Sequence, residues 1–265
     1  MKLSHAVLTV VISAAVAFAV ARYAAPPSAA QNNALARVLR TNTLRCGYYM
    51  FPPITMRDSN TGKMSGFAVD MMNYIAKKAD LKVKWAEEIS FGNWAPALQS
   101  KRFDAVCTPL FADMSYNRAA EFTRPMFFSS VLALVRAGDN RFASGNIADL
   151  NRPGVTIATQ EGNMTDSVAH ELFPKAKILA VPQGVDYGVV VQNVIDRKAD
   201  IALWDRNGFL QYDRHDPGKI RMLRLNQPLK LIPLEFAVGQ GQDGLRDFLN
   251  GAVENMLDNG EMDRL

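Results

Sequence analysis

The chain has 265 residues, 48% hydrophobic and 9% aromatic, enough for one large domain or two smaller ones with real cores. Its formal charge is +4; beyond residues 1–30, which carry Lys2 and Arg22 and no acid, 28 basic residues stand against 26 acidic ones, too small an excess for a nucleic-acid footprint. Two cysteines and three histidines, with no cluster of the two, argue against a metal centre.

Residues 1–30 read as a targeting segment. Lys2 and His5 precede an apolar run from Ala6 to Val20, too short for a comfortable transmembrane helix and suited to a signal-peptide core. Ser28-Ala29-Ala30 offers the small residues of a cleavage site, and no cysteine follows the run as in a lipoprotein. The alternative is an uncleaved anchor, since Arg22, Tyr23 and the prolines precede the cut. Either way the remainder is expected outside the cytoplasm.

A short helix over Leu35–Leu39 and a strand over Leu44–Tyr49 come next. An aromatic, proline-rich loop from Tyr49 to Ile54 follows, and Asp58–Gly62 carries turn chemistry that suggests a hairpin-like excursion. Gly66 can turn the chain into a helix over Phe67–Ala79, with Asp70 in its first turn and Met71, Met72, Ile75 and Ala76 on one apolar face. A strand over Lys82–Trp85, a helix over Trp94–Ser100 with Pro96 in its first turn and a strand over Phe103–Thr108 complete this unit. The alternation predicts a parallel or mixed sheet with helices on its faces.

A second such unit begins at Val131. Strands are expected over Val131–Arg136, Val155–Thr159, Ile178–Val181 and Ala199–Trp204. Helices are expected over Ile147–Leu150, Thr165–Leu172 and Tyr187–Arg197. Phe236–Val238 reads as a return strand and Gly244–Leu257 as a terminal helix, with no domain expected beyond it. The chain thus crosses between two lobes near Val131–Val135 and near Leu231–Val238, which suits a hinge closing on a ligand. Lobe 1 is expected over residues 35–132 plus 236–265, and lobe 2 over 133–235. His215, in Asp213-Arg214-His215-Asp216-Pro217-Gly218, reads as a solvated residue of a turn. Cys46 and Cys107 each lie in an apolar strand; taken alone they fit a disulfide or two buried thiols equally well. No phosphate loop or nucleophile elbow is present.

Ligands of open α/β sheets bind beyond the carboxyl ends of the strands. Those ends deliver Tyr48, Tyr49 and Phe51; Phe91 and Trp94; Thr108 to Phe111; Gln160 to Met164; and Asp205 with Arg206. From Thr43 to Leu265 the blocks Leu44-Arg45-Cys46-Gly47 with Pro52-Pro53, Gly66-Phe67-Ala68-Val69-Asp70, Phe103-Asp104-Ala105, Asn117-Arg118 with Glu121-Phe122-Thr123, Gln160-Glu161-Gly162-Asn163 and Lys198-Ala199-Asp200 follow a recognisable order and spacing. That order resembles the family 3 solute-binding proteins, the periplasmic substrate-binding subunits of ABC importers for polar amino acids and related compounds.

The resemblance implies an α/β, two-lobed periplasmic-binding-protein type II fold with two hinge crossings. It implies a monomer that closes on a small amino acid or related carboxylate and docks to ABC permease subunits, without a cofactor and without enzymatic activity. In matched positions, Arg118 would pair with the ligand's α-carboxylate, where guanidinium forks are directional, and Asp205 would take its α-ammonium. Phe51 and Phe91 would cover the ligand from either side. Asn163 and Met164 would stand where a helix N-terminus offers backbone N–H groups to a carboxylate, and Tyr49 and Thr108 would complete the pocket. The chain departs from the family at Pro109, Phe111, Asn163 and Met164, and by two extra residues between Thr108 and Arg118, which together make the pocket more apolar and aromatic. In such a fold the Cys46 and Cys107 strands are neighbours, so a disulfide within lobe 1 is expected. Two alternative functions stand beside transport. One is a periplasmic cyclohexadienyl-dehydratase-like enzyme, with Glu161, Asp113 or Asp205 as the acid. The other is a membrane-anchored ligand-sensing domain.

Overall fold

The structure is a computed structural model that describes residues 33–90, 92–112, 114–224 and 229–265. The expected targeting segment, Phe91 and Asp113 lie outside the described residues. No described helix is long and apolar enough to cross a membrane.

In chain order, helix α1 spans Ala34–Thr41, strand β1 Thr43–Tyr48, β2 Met56–Arg57, β3 Met64–Ser65, α2 Phe67–Lys78, β4 Lys82–Glu88, α3 Trp94–Gln99, β5 Ala105–Phe111 and β6 Ala120–Phe122. The second part holds β7 Phe127–Arg136, β8 Thr156–Gln160, α4 Met164–Leu172, β9 Lys177–Val181, α5 Gly188–Ile195, β10 Ile201–Asp205, α6 Arg206–His215 and β11 Ile220–Met222. It returns through β12 Lys230–Gly239 to α7 Asp243–Asp258 and α8 Glu261–Arg264. Four of these were not expected from the sequence: β6, β11, α6 and α8.

One twisted sheet runs β4-β1-β5-β12-β7-β10-β8-β9. At one end β4, β1 and β5 are parallel, and at the other β10, β8 and β9 are parallel. Between them β12 and β7 lie antiparallel side by side, with Lys230 opposite Val131 and Leu234 opposite Phe127. The far half of β12 then pairs with β5 and β6, and the far half of β7 with β10 and β11. Both crossings between the halves are therefore one two-stranded ribbon.

Each half buries both faces of its sheet. In the first, Leu44, Cys46, Phe236 and Val238 pack on Met71, Met72 and Ile75 of α2 and on Leu245, Leu249, Val253 and Met256 of α7. The spacing of four, four and three in α7 is one helical stripe. Val106, Leu110 and Ala237, on the opposite face, are covered by Trp94, Ala97 and Leu98 of α3. In the second half Val131, Ala133 and Val135 face α4, while Leu134, on the other side of the same strand, meets Val190, Val191 and Val194 of α5. Cys46 sits opposite Ala105 in the β1–β5 pair, and its sulfur is bonded to that of Cys107 across a Cα separation of 5.4 Å. The disulfide expected from the resemblance is present.

Candidate functional site

The carboxyl ends of β1 and β5 build one wall. After β1 the chain turns through a cis Pro52-Pro53 bond, closed by Phe51 and Thr55 exchanging N–H···O contacts of 2.9 Å. Gly66, with φ of 108°, is what lets this turn rest on α2: a Cβ there would meet Pro53 O at 2.5 Å and Ile54 O at 2.7 Å. Thr108 holds the turn to β5. Its buried hydroxyl accepts the Tyr49 N–H at 3.3 Å and lies 3.0 Å from Thr55 Oγ1. The Tyr49 hydroxyl donates to Pro109 O at 2.5 Å. The Tyr49 and Phe51 rings stack at 6.0 Å, and Phe111 stands edge-on to Phe51 at 6.5 Å.

The opposite wall comes from β8, α4, β10 and α6. Asn163 caps α4, accepting the Thr165 N–H at 3.1 Å. The Thr165 hydroxyl meets the Tyr187 hydroxyl at 2.7 Å, and that hydroxyl reaches Leu203 O at 2.7 Å. Tyr187 packs on Trp204 with ring centroids 4.9 Å apart. Gly208 leaves the space the Trp204 indole occupies, since a Cβ there would collide with its nitrogen. Asp205 ends β10 and caps α6 through the N–H groups of Asn207, 2.9 Å away, and Gly208, 3.0 Å away.

Between the walls lies a cleft of about 960 Å³. Tyr49, Phe51 and Phe111 face Tyr187, Trp204 and Tyr212 across it. Burial raises the pKa of Asp205 from its ordinary value, despite the lowering effect of its N–H partners. Burial likewise pushes the Tyr49 and Tyr187 phenols up, with the Asp205 charge adding to both. The loops after β4 and β9, the two ends of the sheet, meet over the cleft: Gln183 Oε1 lies 2.9 Å from where a Cβ would stand on Gly92.

Of the residues singled out from the sequence, the structure brings Tyr49, Phe51, Asn163, Met164 and Asp205 together in the cleft. Thr108 is buried beneath it and holds the Tyr49 turn rather than lining the cavity. Arg118 is exposed, in the turn between Tyr116 and β6, and is not among the residues lining the cleft. Phe91 lies outside the described residues. His215 is corrected: it belongs to the last turn of α6, contacts Gln211 O at 2.9 Å and lines the cleft. Tyr187 and Trp204 went unrecognised in the sequence. Their signal was position, Trp204 beside Asp205 at a strand end and Tyr187 just before a helix.

Residues 44–265 match the sequence profile of the bacterial extracellular solute-binding proteins, family 3. The chain is similar to a probable amino-acid ABC transporter-binding protein of Haemophilus influenzae, 26% identical over 86% of this chain and 85% of that one. It is also similar to a cyclohexadienyl dehydratase of Pseudomonas aeruginosa, 26% identical over 66% of this chain and 64% of that one. In structure it resembles an ancestral amino acid-binding protein, AncCDT-1, a precursor of cyclohexadienyl dehydratase. There the TM-score is 0.73 with 25% identity, over 88% of this chain and 96% of the other.

Proposed function

The chain belongs to the bacterial extracellular solute-binding proteins, family 3, and from that premise we propose that it is the substrate-binding subunit of an ABC importer for a small amino acid or related compound. The observation that carries this reading is the cleft itself: two aromatic walls, on separate cores, joined by one ribbon and converging on a buried carboxylate. We read residues 35–132 with 236–265 as one lobe and 133–235 as the other, and the ribbon of β7 and β12 as the hinge. A ligand that touches both walls binds the closed state better than the open one, and that difference drives closure. The closed form is what the permease subunits would engage.

Within the cleft Phe51 and Tyr49 would cover the ligand, Asp205 would take its ammonium group, and the Asn163–Met164 turn would contact it from the second lobe. Thr108 serves as a positioning residue. We place the chain in the periplasm, with residues 1–30 as signal peptide or anchor. Titration calorimetry against amino acids, amines and organic acids tests the reading; absence of binding by every member of such a set would refute it.

The kinship with a cyclohexadienyl dehydratase supports a second reading, an enzyme. Dehydration needs an acid beside the leaving group. Glu161 is exposed outside the cleft lining, which leaves Asp205 as the described candidate acid within it. Incubation with prephenate or arogenate decides: product formation would make the chain an enzyme.

A further inference from the structure

Leaving His215 aside, the ionisable side chains that line the cleft and carry a full charge at neutral pH have one sign. Among the described residues that line it are three carboxylates, Glu88, Asp186 and Asp205, and neither a lysine nor an arginine. The internal residues outside the description, Phe91, Asp113 and 225–228, contain no lysine or arginine either. Glu88 is offset by Arg57 at 2.9 Å, whereas Asp186 and Asp205 form no ion pair among the described residues.

Asp205 is 7% exposed. Its Oδ1 is used by the α6 cap, and Oδ2 is the oxygen left for a donor from the cleft. A desolvated carboxylate in this state gains most from a cation. Tyr49, Tyr187, Trp204 and Tyr212 surround the same space, and the faces of such rings attract ammonium and guanidinium groups by about 0.5–2 kcal/mol each.

A ligand carboxylate meets the opposite conditions. It would enter beside two uncompensated acids. At the start of α4 the Thr165 N–H is already held by Asn163 Oδ1. Arg118, the guanidinium the family resemblance assigned to it, is exposed and is not among the residues that line the cleft.

We propose that the cleft between Tyr49 and Asp205 recognises the cationic group of its ligand and not a carboxylate, so that amines and guanidines carrying no acid group are ligands in their own right. This rests on the reading of the cleft as the ligand site. Matched pairs separate the two groups: arginine with agmatine, and lysine with cadaverine, titrated calorimetrically into the purified full chain. The decarboxylated member of the better-binding pair is expected to bind as tightly as its parent or more tightly. An amine more than about threefold weaker than its amino acid overturns the proposal while leaving the importer reading in place. Binding by no member of either pair overturns the proposal, and the broader ligand screen then decides the importer reading separately.

Discussion

Gln183 and Gly92 touch although the strands they follow, β9 and β4, are the two ends of the sheet. The sheet therefore wraps far enough for its outer loops to meet, and a side chain at position 92 would have to displace the Gln183 amide. Gly162, with φ of 69°, also lies against the Gln183 side chain, from within the second half.

Gly92→Leu should hold the two edges apart. Its backbone is not left-handed, so the change acts through bulk rather than backbone strain. Ligand affinity is expected to fall by about tenfold, with an increased radius of gyration in solution scattering. Adding Gln183→Ala should recover most of the loss, as a double-mutant cycle would register. Wild-type affinity in Gly92→Leu alone would show that the contact does not bear on closure.

Asp205→Asn separates binding from folding. Asparagine caps helices as well as aspartate, so the unfolding midpoint should barely move. The charge that meets a ligand cation is gone, and affinity should fall by about tenfold or more, the worth of a charged hydrogen bond. Calorimetry and denaturant unfolding on the same sample read both. A large drop in stability with unchanged affinity would reduce Asp205 to a cap.

The disulfide closes a sequence separation of 61 residues, and both sulfurs belong to the fully buried core. Replacing Cys46 and Cys107 together with alanine should cost about 2–4 kcal/mol in chemical unfolding. The ligand site should keep its affinity where the variant remains folded, because the bond lies within one half of the sheet. Equal stability of the two proteins would count against this account.

Glu235 gives stability a pH dependence. It is buried on β12, and burial pushes its carboxyl from 4.5 up to about 7. A carboxyl raised in the folded state holds its proton more tightly there. Its contribution is complete below about pH 4.5 and is lost as the pH rises through about 7. Glu235→Gln should remove that decline and be more stable than the wild type at slightly alkaline pH by about 1–2 kcal/mol. Urea unfolding on either side of neutrality measures it, and parallel pH profiles for the two proteins would sink the assignment.

The sequence made the strand–helix alternation readable because its buried faces are periodic. Met71, Met72 and Ile75 in α2 and Val190, Val191 and Val194 in α5 are written as core stripes. Helix α6 was not: among Arg206–His215 only Gly208 and Phe209 are buried, so there is no stripe to read, and only the capping Asp205 announced it. Strands β6 and β11, of three residues each, are below the length at which alternation carries information. The early parts of β7 and β12 hid for another reason. Phe128 and Leu231, 63% and 60% exposed, are apolar residues at solvent-facing positions of the ribbon, which breaks the apolar–polar alternation by which a half-buried strand is read. In the cleft, Asp205, Phe51 and Asn163 followed from strand ends. Arg118 did not, because where a turn aims its side chain after two inserted residues depends on tertiary packing.

The ribbon of β7 and β12 joins the two halves by strands that are bonded to each other, Val131 to Lys230 through Phe127 to Leu234. Sliding one strand past the other would break that ladder, whereas bending the pair would not. Bending is therefore the motion that the proposed hinge would use. A change within the ribbon that favours one end of this motion acts on every ligand alike. It would raise or lower all affinities by a common factor and leave their ranking untouched, so selectivity and sensitivity in this protein can be altered independently of one another.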